Sequence, residues 1–160
     1  MNWLGAALLI FSGYAVGVLL ASEEKRALEA VEAMLSLLNY MERRISESRL
    51  PINEIFLRFE NDFLEQRGFL AQIRSGGGVR ERWQSALMLV PLEEEARREL
   101  ALFGEELGIL SLQEQKKRLE AAVVFLNGER ERLKQRLPAR QKSIKTVCLL
   151  VGALTAIVLL

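Results

Sequence analysis

Apolar and polar positions divide the 160-residue chain into three parts. An uncharged apolar run from Met1 to Ser22 comes first, and an uncharged apolar tail from Thr146 to Leu160 comes last. Between them apolar residues recur at helical spacing among charges. Leu28, Val31, Leu35, Leu38, Met41 or Glu42, and Ile45 predict a first helix over 23–49, continuous with the apolar run. Pro51 suits the first turn of a second helix, and the proline ring pushes Leu50 out of helical geometry. Ile52, Ile55, Phe56, Phe59 and Phe63 then give an aromatic-rich face, read as core. Gly76-Gly77-Gly78 costs too much backbone entropy for a helix and marks a loop. Trp83, Ala86, Leu87 and Val90 predict a short helix ending at Pro91. Glu93, Glu94 and Glu95 fall in the first turn of the next helix, where its dipole favours acids, and Leu100, Phe103 and Leu107 form its buried edge.

Ser111-Leu112-Gln113-Glu114 reads as a capping box that starts a long helix at Leu112. Leu119, Ala122, Leu126, Leu133 and Leu137 make one apolar stripe along it, from which Glu120, Arg130, Glu131 and Lys134 fall away. Pro138 removes a backbone hydrogen bond and is expected to kink the helix or end it. The fold class is all-α: a helical bundle over 23–145, flanked by transmembrane helices over 1–22 and 146–160.

Charge sharpens that partition. All 22 basic and 21 acidic side chains lie between Glu23 and Lys145, so a net charge of +1 hides a heavily charged centre between charge-free ends. At about 1.5 Å per residue the first 22 residues reach roughly 33 Å, enough for a hydrocarbon core of roughly 30 Å. Trp3 sits where an interfacial ring would, and Gly13 with Gly17 forms a GxxxG spacing. A cleaved signal ending at Leu19-Leu20-Ala21 is the rival reading, but no Lys or Arg precedes the apolar run. The tail covers only about 22 Å as a helix, so its alternative is a soluble core helix, while snorkelling by Lys142 and Lys145 favours a span.

The chain has no His, which removes the commonest general base and transition-metal ligand. Cys148 is the only cysteine and lies in the apolar tail, so a disulfide within the chain is impossible and its role is packing. The glycine run is followed by Val79-Arg80-Glu81 rather than by the Lys and Ser or Thr of a phosphate-binding loop. No metal, no cofactor, no small-molecule substrate and no catalytic residue is expected, and the chain is read as a non-enzyme. Nothing aromatic interleaves with the basic residues, which argues against nucleic acid.

Seven basic residues and one acid occupy 130–145, directly before the tail. Such residues, among them the membrane-proximal Arg136, Arg140, Lys142 and Lys145, are retained on the cytoplasmic side, so the centre is expected to be cytoplasmic. The charged surfaces Glu93, Glu94, Arg97, Arg98 and Glu114, Arg118 are candidates for binding a partner protein. An alternative function is a peripheral lipid-binding or membrane-shaping protein that uses the basic block 130–145.

Three short signatures carry a family resemblance: Leu4-Gly5-Ala6, Trp83-Gln84-Ser85-Ala86-Leu87, and Leu107-Gly108-Ile109-Leu110-Ser111-Leu112-Gln113-Glu114-Gln115. With the basic stretch leading to Gly152 and the Leu-rich end, the chain resembles the stage III sporulation protein AB family of endospore-forming bacteria over nearly its whole length. It departs from the family pattern at Leu112, where an acid is usual, at Gly76 to Gly78 and at Pro138. The resemblance implies a helical domain similar to the platform proteins of type II secretion and type IV pilus machines. It further implies a place in the mother-cell membrane facing the forespore, in a channel complex whose cytoplasmic secretion-type ATPase is the AA protein of the same operon.

Overall fold

The computed structural model describes the backbone of residues 3–48 and 50–159, and the side chains of residues 22–46, 50–111 and 113–138. Seven helices follow in order: α1 (Trp3–Ser48), α2 (Ile52–Arg58), α3 (Asp62–Gln66), α4 (Phe69–Ile73), α5 (Val79–Leu87), α6 (Glu94–Glu106) and α7 (Leu112–Leu159). Among the described residues there is no strand. The chain divides into two compact units, Ala27–Glu131 and the paired segments Met1–Arg26 and Arg132–Leu160. Among the described residues no helix is long and apolar enough to cross a membrane. The anchors expected over 1–22 and 146–160, with Trp3, Gly13, Gly17 and Cys148, lie outside the described side chains, as do Arg140, Lys142 and Lys145.

The helix predicted over 23–49 is the second half of α1, which runs without a break from Trp3. Leu28 is half-buried, while Val31, Leu35, Leu38, Met41 and Ile45 are buried as their spacing predicts, and Met41 rather than Glu42 takes the inner position. Burial extends further, to Ala30, Ala33, Met34 and Leu37. Only the narrow stripe Glu29, Glu32, Ser36, Asn39, Arg43 and Ser46 stays exposed, so α1 is covered on most sides and forms the spine of the unit.

The segment after α1 departs from the single helix that Pro51 opens in the sequence reading. Pro51 stands one place before the first turn, with φ −58° and ψ 143°, and its carbonyl accepts from the amides of Glu54 and Ile55. The helix stops after seven residues, at Phe59, which is extended and buried. Asn61 is the reason a new helix starts so soon: its side chain accepts from the Leu64 amide at 3.0 Å and caps α3. Gly68, at φ 77°, then turns α3 into α4. Ile55, Phe56 and Phe59 still reach the core, but Ile52 and Phe63 are only half-buried.

Two arginines fasten these short helices. Arg74 donates to the carbonyls of Phe56 (3.2 Å) and Phe59 (2.6 Å) at the end of α2. Arg82 donates to the carbonyls of Ile73 (2.8 Å) and Ser75 (3.0 Å) after α4, and to Oδ1 of Asn53 (2.6 Å). Each guanidinium fork satisfies carbonyls that a helix C-terminus leaves without an internal partner.

The glycine run is a loop, with Gly77 at φ 113° and Gly78 preceding α5. Helix α5 packs against α4 and α6. It ends at Leu87, three residues short of the predicted end: Val90 is buried from a turn, not from a helix face. Trp83 is the centre of the core, with Phe56, Phe69 and Phe103 rings at centroid distances of 6.0, 5.9 and 5.5 Å. Its indole N–H donates to the Leu100 carbonyl at 2.7 Å, which satisfies the one polar atom of a fully buried ring.

Helix α7 buries Leu119, Ala122, Leu126 and Leu133 as its stripe predicts, with Leu137 half-buried. Gln115 and Glu129 occupy the same stripe and are buried too, polar positions that the apolar pattern passes over. The helix does not end at Pro138, which stands inside it.

Candidate docking surface

The six residues expected to bind a partner fall into separate roles. Glu93 precedes α6 and Glu94 lies in its first turn with Glu95. Glu94 and Arg98 form an i, i+4 ion pair at 3.1 Å on open surface, as their spacing predicts. Arg97 is half-buried and donates to the carbonyls of Val90 and Leu92, so it holds the turn between α5 and α6.

Glu114 and Arg118 are also engaged. The Ser111 hydroxyl donates to the Glu114 carboxylate at 2.6 Å, the Ser111 amide donates to the same oxygen at 3.1 Å, and the Glu114 amide reaches the hydroxyl at 3.4 Å. The capping box is therefore formed, and these bonds, the hydroxyl's first, hold the Glu114 carboxyl below its ordinary pKa. Arg118 points inward to α6, 3.3 Å from Glu99 and 2.9 Å from Glu106, the shorter pair without hydrogen-bond alignment at Nε. It ties α7 to α6. Of the six, only Glu94 and Arg98 are exposed side chains not spent on a turn, cap or helix contact.

Three apolar side chains that the sequence reading did not single out stand in solvent around the same helices. Leu102 on α6 is 44% exposed, Ile109 in the following turn 65%, and Val124 on α7 73%. Their signal was available in the spacing: Leu102 and Val124 each fall off the apolar stripe of their own helix. Of the membrane-proximal basic residues, Arg136 is described and exposed. Among the described residues no group of acidic, His or Cys side chains is placed to hold a metal.

No curated protein and no solved structure matches this sequence. The model of one protein family does match, over residues 2–160, and its signatures coincide with the elements just described: the tryptophan at the centre of the core and the cap that starts α7. On that match, which takes in all but the first residue, the chain belongs to the stage III sporulation protein AB family.

Proposed function

We propose that this sporulation protein is a non-catalytic membrane platform, anchored in lipid at both ends, whose helical unit docks other subunits of a secretion-like channel complex. One observation carries the reading: both helices that leave the charged bundle, α1 and α7, run on unbroken into ends that hold no charge. Charge-free helical ends of that kind are at home in hydrocarbon, because all their backbone groups bond within the segment. The basic residues from Arg130 to Lys145 put the bundle on the cytoplasmic side, in the mother-cell membrane that faces the forespore. Two tethers hold the bundle near the bilayer and raise its effective concentration for neighbouring subunits. The family resemblance identifies the first of those as a cytoplasmic secretion-type ATPase.

Affinity capture of the full-length protein from sporulating cells tests this reading. The expected result is co-purification of the ATPase and of other channel subunits from the membrane fraction. Release of the protein from membranes by alkaline extraction, or capture with no partner, would reject it. The second reading, lipid binding through residues 130–145, draws on exposed Lys134 and Arg136. It predicts binding to anionic liposomes by a chain that lacks both apolar ends, which the platform reading does not need.

A further inference from the structure

We infer that the bundle carries a surface for a second copy of this chain, in which the outer face of α6 of one copy packs on the outer face of α7 of its neighbour. The two faces are complementary in kind. On α6, Leu102 stands exposed with Glu105 one turn further on, and Ile109 is held out by the turn that Gly108, at φ 81°, makes after the helix. On α7, Val124 and Ala121 are exposed along one line with Lys117. Each face is an apolar centre with charge beside it, acidic on α6 and basic on α7. The pattern of an apolar core with polar rim is that of a specific interface.

The levels of the two faces also agree. Arg118 reaches both Glu99 and Glu106, so the two turns of α6 between those acids lie level with Arg118 on α7. Leu102 and Glu105 belong to those turns, Lys117 is the neighbour of Arg118, and Ala121 follows about one turn later. Two copies standing in the same orientation therefore bring Glu105 towards Lys117 and Leu102 towards Ala121 with a displacement of no more than about a turn. A copy in the same orientation is what two anchors in one membrane supply, so in the cell the inference rests on the platform reading, although the faces themselves belong to the bundle.

Nothing in the fold itself accounts for these exposures. The inner acids of α6, Glu99 and Glu106, are taken by Arg118, and the inner apolar edge, Leu100, Phe103 and Leu107, is buried. Gly128, one turn beyond Val124, has open space where its side chain would stand, so the face is low and a neighbouring helix can approach it.

Full-length protein in detergent micelles, as a mixture of isotopically light and heavy copies, tests the inference by carboxylate-to-amine crosslinking and by light scattering. The expected result is a light-to-heavy crosslink between Glu105 and Lys117 and a species larger than one chain. V124E should abolish the larger species. E105K and K117E should each weaken it, and the doubly reversed variant should recover it, with helical circular dichroism unchanged throughout. A single-chain mass at every concentration, or a larger species that V124E and the charge reversals leave intact, overturns the inference. Either result leaves the platform reading standing, because capture of the ATPase is a separate measurement.

Discussion

Gly104 lies against the face of Trp83, so close that a Cβ at position 104 would stand 2.8 Å from the indole Cγ and nearer still to Cδ1. The contact explains a buried glycine inside a helix, where the residue is ordinarily a liability. It also fixes how near α6 comes to α5, since the indole N–H and the Gln84 amide donate to the consecutive carbonyls of Leu100 and Ala101.

Gly104→Ala is accordingly expected to destabilise the bundle. Alanine gains about 1 kcal/mol in helix propensity, but overpacking a rigid ring costs about 1–3 kcal/mol, and the indole cannot retreat without losing its hydrogen bond to Leu100. Thermal unfolding followed by circular dichroism should show a midpoint lowered by a few degrees, about 2–4 °C for each kcal/mol in a chain of this size. A midpoint at or above that of the parent would mean that the ring gives way freely.

Arg82 has three acceptors from two parts of the chain, and a single ammonium group cannot span them. Arg82→Lys is therefore expected to lose most of what Arg82→Ala loses, about 1–3 kcal/mol of stability, because carbonyls at the end of α4 are left without a donor. Asn53→Ala removes only one of the three partners and should cost less. Denaturant midpoints for the three variants decide the order, and a lysine variant as stable as the parent would show that charge alone suffices.

These arginine clamps were invisible to the sequence reading, and the reason is physical. Their partners are backbone carbonyls far away in the chain, which leave no trace in periodicity or charge spacing. What periodicity does record is burial, and so α1, α6 and the α7 stripe were legible residue by residue. Burial without helix misled it: Val90 continues the spacing of Ala86 and Leu87 but reaches the core from a turn, and Phe59 does the same from extended backbone. Asn61, a cap residue in plain view, could have announced the break between α2 and α3. Glu129 sits three residues after Leu126 and four before Leu133, so its burial was legible too, and its charge concealed it. In the candidate surface the Glu94 to Arg98 pair and the capping box were readable because both are local. The inward turns of Arg97 and Arg118 were not, since those depend on what α5 and α6 present to them.

The capping box gives the start of α7 a pH dependence of known sign. Hydrogen bonds to the Ser111 hydroxyl and amide hold the Glu114 carboxyl below its unfolded value. The folded state then binds its proton less readily than the unfolded chain. The contribution is complete above the unfolded carboxylate pKa and is lost as pH falls through the depressed folded one. Amide exchange at the first turn of α7 should accelerate in acid over that window. In Ser111→Ala the Glu114 titration, followed by NMR, should move back up towards that of an ordinary glutamate. A titration unmoved by the substitution would assign the depression to another group.

The different duties of Arg97, Arg98 and Arg118 decide how docking can be tested at all. Reversing Arg98 breaks only an exposed pair with Glu94, so Arg98→Glu is expected to change stability by no more than about 0.5 kcal/mol. Reversing Arg97 leaves the carbonyls of Val90 and Leu92 facing a carboxylate, and reversing Arg118 sets a third acid between Glu99 and Glu106. Each of these is expected to cost about 1–3 kcal/mol, because acceptors lose their donor and like charges meet. A loss of partner in Arg97→Glu or Arg118→Glu would therefore reflect a damaged bundle as readily as a lost contact. Unfolding midpoints for the three reversals, measured beside capture of the ATPase, separate the two causes. Loss of capture in Arg98→Glu at an unchanged midpoint would place the docking contact on the exposed face of α6. Full capture in that variant would move the contact elsewhere on the bundle.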